Sequence, residues 1–216
     1  MVLEKEKLWN IQQERDFKQK QQLTIINLNK MRKLIITLIL IVTVGVNAQE
    51  KWTVDASHSS INFAVSHLVI SETTGSFDSF DIWASSKENF EVPVFSVSIK
   101  TASINTKNEG RDKHLRANDF FDAATYPSIK FVQKEFKKRE GKKIEILGDL
   151  TIKGITKPVI LKGKVNGVVA TKYGMKAGVK LQTTIKRTDF KVGGEGGSIG
   201  EEVELVINLE LNKKKA

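Results

Sequence analysis

From Lys51 onward, apolar and polar residues alternate with a period of two. Val203, Leu205, Ile207, Leu209 and Leu211 alternate with Glu204, Val206, Asn208, Glu210 and Asn212, which describes a strand with one face buried and one in water. Ala177, Val179, Leu181, Thr183 and Ile185 repeat the pattern, as do Val159, Leu161, Gly163 and Val165. Ile61, Phe63, Val65 and His67 share one parity, and so do Phe95, Val97 and Ile99. Ile129 and Phe131 open a strand that runs toward Phe136, and Ile144, Ile146, Leu150 and Ile152 flank Gly148, a site for a bulge or close approach. Turns are expected at Asn166-Gly167, at Tyr173-Gly174 and, more weakly, at Glu140-Gly141. About eight short strands with no long helical period predict an all-β antiparallel sandwich or barrel. The one helix-like stretch is Arg111–Phe121, with Asp119 placed to cap a second short turn. Inward faces rich in medium aliphatics and Phe suit either a packed core or an apolar slot, and composition does not choose between them.

The first 48 residues read differently. Residues 1–30 are polar, Gln-rich and without an amphipathic face, and are expected to be disordered, an over-extended reading frame ahead of a start at Met31. Residues 31–48 have the layout of a secretory signal peptide: basic Met31-Arg32-Lys33, an apolar run from Leu34 to Val46, and a small residue, Ala48, at the cut. That run covers 13 positions, short of the roughly 20 that a spanning helix needs. Export to the periplasm with cleavage after Ala48 is expected, leaving residues 49–216 as one domain.

This partition changes the meaning of the charge. The whole chain carries 35 Lys+Arg against 25 Asp+Glu, a formal net charge of +10. The leader accounts for 8 of the basic and 4 of the acidic residues, so the remainder carries +6. Much of that excess lies in the Lys134–Lys143 stretch and in the tail Lys213-Lys214-Lys215, a hairpin tip and a terminus. Neither run interleaves aromatics for base stacking, so nucleic acid is not an expected partner, while transient contact with an anionic membrane surface is. Cysteine is absent, which excludes disulfides, thiolate metal sites, a thiol nucleophile and a Cys-linked lipid anchor.

Three histidines remain for chemistry: His58, His67 and His114. His58 and His67 lie nine apart, but a metal needs a third ligand, and Asp55 and His58 read better as fasteners of backbone groups at a barrel end. The segment Asn108-Glu109-Gly110-Arg111-Asp112-Lys113-His114, with Asp119 and Asp122, offers acid–base groups without a recognisable nucleophile elbow. Its Phe120 and Phe121 are placed to plug or line a barrel, and Arg111 to hold a carboxylate or an anionic ligand group. Gly193-Gly194-Glu195-Gly196-Gly197 lacks the strand-to-helix setting of a phosphate loop and reads as a mobile connection.

Between Lys51 and Leu211 the chain resembles the YceI-like family of exported, lipocalin-like, polyisoprenoid-binding proteins. The marks are Trp52-Thr53-Val54-Asp55-Ala56-Ser57-His58-Ser59, Gly75-Ser76-Phe77, Ser103-Ile104-Asn105-Thr106, Gly110-Arg111-Asp112-Lys113-His114-Leu115 and Asp119-Phe120-Phe121-Asp122. Tyr126-Pro127, the run Gly148 to Pro158, and Ile185-Lys186-Arg187-Thr188-Asp189-Phe190 follow in order. Lys191 departs from the family, which usually shows Gly there. The resemblance implies an extended eight-stranded antiparallel barrel with a short helical insertion. It also implies an apolar pore for an isoprenoid quinone or polyprenyl phosphate, with no cofactor, metal or covalent chemistry. Inward parity and motif position select Phe63, Val65, Phe77, Phe80, Val97, Ile99, Phe131, Leu150, Ile152, Leu161, Val179 and Leu181 as lining, with His67, Arg111 and His114 as contacts for a polar head. The leading expectation is a non-enzymatic lipid carrier or store, with a homodimer compatible. The alternatives are a ligand-free filled barrel acting as a stress or interaction protein, and an enzyme built on the His/Asp/Arg cluster.

Overall fold

The computed structural model describes residues 49–87 and 90–215, together with residues 9, 13–15, 17–25, 27–28 and 30–32. The chain divides into the units Met1–Asn47 and Ala48–Ala216. In the first unit the described residues are helical and exposed. Gln, Lys, Glu and Leu are good helix formers, so local propensity suffices there without an apolar face. The apolar run and the cleavage position lie outside the described residues.

The second unit is a closed antiparallel barrel. Its strands are β1 (Glu50–Val54), β2 (Ser60–His67), β3 (Ser71–Phe77), β4 (Phe80–Ser86), β5 (Val94–Lys100), β6 (Ile104–Asn105), β7 (Ser128–Glu140), β8 (Lys143–Ile152), β9 (Ile155–Thr171), β10 (Gly174–Lys186) and β11 (Ile199–Lys214). The ring runs β1-β4-β5-β7-β8-β9-β10-β11 and closes by pairing β11 back onto β1. β2, β3 and β6 continue three of these staves past local breaks: β11 passes from β1 to β2, and β6 pairs with β3. This is the expected eight-stave barrel.

The breaks are held by polar side chains. Asp55 accepts from the Ser57 amide at 3.2 Å and its hydroxyl at 2.6 Å, closing the 3₁₀ turn Ala56–His58 between β1 and β2. Asp78 accepts from Ser76 and Asn105, both at 2.7 Å, where β3 gives way to β4. The helical insertion is a single short helix, α1 (Glu109–Leu115), capped by Asn108, which accepts from the Arg111 amide at 2.9 Å. Asp119 caps no second turn; its carboxylate pairs with His114 at 2.8 Å.

One turn expectation is corrected. Asn166-Gly167 is not a hairpin: β9 runs through it to Thr171, and the register shift at Gly178/Val179 absorbs Asn166 as a bulge. The β9–β10 reversal falls at Lys172-Tyr173, one residue ahead of the turn expected at Tyr173-Gly174. Bulged pairing satisfies the same local residues as a turn without ending the strand. At Gly148 the expected close approach is real: a Cβ there would stand 2.3 Å from Cζ of Phe131.

The core fills one half of the barrel. Trp52 packs edge-on against Phe90 with ring centroids 4.9 Å apart, and Phe95 adjoins Phe90. Ile144, Ile146, Val165, Ala177, Val179 and Leu211 complete this packed end, all but excluded from solvent.

Candidate functional site: an apolar cavity under a tethered lid

The other half is hollow. A cavity of about 490 Å³ lies between the strand walls and two lid segments, one running from α1 to Phe121 and one from Arg187 to Ser198. The walls supply Phe63, Val65, Phe77, Ile99, Leu150 and Ile152, joined by Ile129, Ile185, Val203 and Leu205. The lid supplies Leu115, Phe120, Phe121, Phe190 and Val192. An aromatic chain links wall to lid: Phe63 to Phe77 at 5.8 Å and Phe77 to Phe121 at 6.0 Å between ring centroids. Filled core and apolar slot, the two readings of the alternation, are therefore both present, one at each end.

Apart from buried Arg187 and half-buried Thr73, the polar side chains of the lining stand at the rim. The solvent-exposed residues of the lining are Ser66, Gly110, Arg111, His114 and Ser198, with half-buried His67 beside them. Arg111 donates from Nε to the Thr106 hydroxyl at 2.8 Å and from Nη2 to the Thr106 carbonyl at 2.9 Å, which fixes its guanidinium at the mouth. Asp112 is turned away from the cavity and buried, accepting from the Thr106 amide at 2.8 Å and hydroxyl at 2.6 Å. His114 stands edge-on to Phe120 at 4.8 Å and shares its Nε2 with Asp119. The bond to His114 is the main influence holding the Asp119 carboxyl below its ordinary range. The acid–base groups of this segment thus do not converge on one point: Asp112 is spent on the backbone, and His114 and Asp119 pair at the surface.

The lid is fastened by Arg187. This buried guanidinium donates to four carbonyls: Gly200 at 2.8 Å from Nε, Val192 at 2.9 Å and Gly194 at 2.8 Å from Nη1, and Ile199 at 3.0 Å from Nη2. A planar fork with several fixed donors suits such a cluster, which an ammonium could not span. The two lid segments meet where the Gly193 amide donates to the Asp119 carbonyl at 3.0 Å. Lys153 bridges the same seam, donating to the carbonyls of Asn118 at 2.7 Å and Lys191 at 3.2 Å.

Of the fifteen residues selected from sequence, nine line the cavity: Phe63, Val65, His67, Phe77, Ile99, Arg111, His114, Leu150 and Ile152. The other six do not. Phe131, Leu161, Val179 and Leu181 belong to the packed core, and Phe80 and Val97 pack against it. Parity tells which face of a strand points inward but not whether an inward residue reaches the hollow part of the barrel, and these six do not. Ile185, Val203 and Leu205 carried the same inward parity and were findable by it. Arg187, Phe190 and Val192 belong to a non-periodic connection, where the family motif gave a signal for the first two and nothing did for Val192.

At the packed end Asp55, His58 and Glu210 approach within 4.8 Å of one another, the one such group of metal-ligating types among the described residues. The Lys176 ammonium binds Glu210 and lies 3.7 Å from Asp55, so these carboxylates already face a cation. His67 is at the opposite end of β2, paired with Ile199, so the two histidines do not meet.

Comparison with known proteins places this architecture. The model of the YceI-like domain matches residues 52–211. Protein YceI of Escherichia coli O157:H7 is 36% identical over 173 residues, 79% of this chain and 90% of that protein. The crystal structure of the Campylobacter jejuni YCEI protein matches with a TM-score of 0.64 at 35% identity, covering 69% of this chain and 90% of that one. A polyisoprenoid binding domain from Saccharophagus degradans, implicated in plant cell wall breakdown, shares the fold at a TM-score of 0.60 and 18% identity, covering 76% of this chain and 99% of that one.

Proposed function

We propose that this chain, which belongs to the YceI-like family, is an exported carrier or store that holds an isoprenoid lipid in its barrel cavity. The observation that carries this reading is the distribution of polarity: aliphatic and aromatic side chains line most of the interior, the one buried cation of the lining, Arg187, is spent on four backbone carbonyls, and the exposed polar lining stands at the rim. An isoprenoid tail offers no hydrogen bonds, so its affinity comes from burial, about 25 cal/mol per Å² of apolar surface. A cavity of about 490 Å³ lies within the range of small-molecule sites. His67, Arg111 and His114 suit the oxygens of a quinone ring or a phosphate. The polyisoprenoid-binding domain that shares the fold supports this ligand class.

Binding, rather than turnover, is the role proposed for the rim, because Asp112 is turned to the Thr106 backbone and His114 pairs with Asp119, which leaves no convergent acid–base set. Export rests on the basic stretch and apolar run of residues 31–48, with cleavage after Ala48 into the periplasm. The test is to express the full chain in an exporting host, purify it without detergent, extract with organic solvent and identify lipids by mass spectrometry. A stoichiometric quinone or polyprenyl phosphate is expected. A clean extract, persisting after incubation with excess of both, would sink the reading. The N-terminal sequence of the recovered protein checks the cleavage site.

A further inference from the structure

The turn between β2 and β3 carries Leu68, Val69 and Ile70, and these are 54%, 95% and 86% exposed. Hairpin tips ordinarily carry small or polar residues. The backbone makes the choice more unusual. Leu68 and Val69 both have positive φ, 52° and 63°, and the Ile70 amide closes the turn on the His67 carbonyl at 3.3 Å. Two consecutive left-handed residues are the setting that Asn-Gly fills most readily, and a β-branched residue there is strained. A strained turn that exposes three consecutive large apolar side chains does nothing for the fold, and such strain points toward function.

The position of the tip names its use. The Leu68 amide donates to the Ser198 carbonyl at 2.7 Å, and Ser198, Ser66 and His67 are all on the cavity rim. From the position of the tip we infer that it inserts into a lipid bilayer and sets the cavity mouth against it, so that an apolar cargo enters and leaves without crossing water. This rests on the lipid-binding reading of the cavity. A second protein fits the tip poorly, since a stable interface needs about 800 Å² on each partner and this patch is one turn wide. Residues 52–86 contain no Lys or Arg, and Glu72 follows the tip, so the attachment is apolar rather than electrostatic.

The chain has no cysteine, so single reporters can be placed in the full protein. An environment-sensitive fluorophore is attached to Val69→Cys and, as control, to Tyr173→Cys on the exposed hairpin tip at the other end of the barrel. Each is mixed with phosphatidylcholine vesicles containing doxyl-labelled phosphatidylcholine. Quenching at position 69 alone, unchanged by salt, is expected. No quenching at 69, equal quenching at both positions, or a rise in oligomer mass in place of vesicle binding would each overturn the inference. Leu68→Asn combined with Val69→Gly supplies the turn with its preferred residues. This variant is expected to unfold at a higher temperature than the parent while delivering lipid to vesicles about tenfold more slowly. Delivery at the parent rate would also overturn it. The quenching experiment needs no cargo, so a barrel that holds no isoprenoid would fail the earlier test and leave this one readable.

Discussion

Gly75 stands directly across the β2–β3 ladder from Phe63, and the Phe63 ring occupies the space a side chain would need: a Cβ on Gly75 would be 2.3 Å from Cζ. Phe131 covers Gly148 in the same way on the far wall. A glycine under an aromatic ring lets the ring lie close to the strands instead of projecting into the barrel. At Phe63 this keeps the cavity open, since that residue is part of its wall.

Gly75→Ala therefore pushes the Phe63 ring into the cavity. Overpacking of this kind costs about 1–3 kcal/mol. The expected result is a lower urea midpoint together with less lipid retained per protein. Full lipid content in a destabilised variant would show that the ring moves elsewhere.

Arg187→Met removes four donors at once from the carbonyls of Val192, Gly194, Ile199 and Gly200. Buried acceptors left without partners make this substitution cost about 2–4 kcal/mol, with the loop from Gly193 to Gly200 becoming the first site of limited proteolysis. Arg187→Lys keeps the charge but not the fork, and is expected to recover less than half of the loss. Stability equal to the parent in either variant would argue against the fastening role.

The barrel itself was legible in the alternation because burial on one face imposes the period directly. The β11 series from Val203 to Leu211 and the β8 series from Ile144 to Ile152 both carry over to inward positions. Height along the barrel was not legible. Leu150 and Phe131 are cross-strand partners in one buried cluster, yet only Leu150 lines the cavity. What fills the interior at a given level is set by distant residues such as Trp52 and Phe90, which no local window contains. The family motifs were visible but ambiguous in purpose: Ser103, Thr106, Asp112 and Arg187 serve mostly to hold bends, a cap and a lid. Asn166-Gly167 misled because turn chemistry and bulge chemistry use the same residues.

Lys191 ends the 3₁₀ turn Arg187–Phe190 with φ 54° and ψ 36°, in the left-handed region that glycine adopts most readily. A side chain there costs about 1 kcal/mol relative to glycine. Lys191→Gly is expected to raise the unfolding midpoint by a few degrees, somewhat less than the strain implies because glycine also frees the unfolded chain. A fall in midpoint would mean that the Lys191 side chain makes a contribution larger than the strain it brings.

The Asp55 carboxyl is held well below the usual carboxylate range, first by the Ser57 hydrogen bond and next by His58. A carboxyl depressed in the folded state stabilises the fold fully above its unfolded value, near pH 4, and loses that contribution as pH falls toward the folded value. Lys176 has the opposite sign: its pKa is raised, chiefly by Glu210, so its contribution is complete below about pH 10 and fades as pH rises further. Urea midpoints measured from pH 7 down to about pH 2.5 are expected to fall less steeply for Asp55→Asn than for the parent. Parallel slopes would show that Asp55 titrates alike in the folded and unfolded chain.

Leu150 offers a direct test of occupancy. It lines the cavity, while its ladder partner Phe131, buried in the same cluster, does not, so it stands near the border between hollow and filled barrel. Leu150→Trp places an indole into space that a ligand would otherwise take. In a fully packed interior such a change costs about 1–3 kcal/mol, whereas here the added ring has a cavity to enter and gains burial. The expected outcome is a thermal midpoint within a few degrees of the parent combined with loss of bound isoprenoid. Severe destabilisation with lipid still bound would mean that the indole cannot enter the cavity. Unchanged stability with unchanged lipid content would place the ligand outside it.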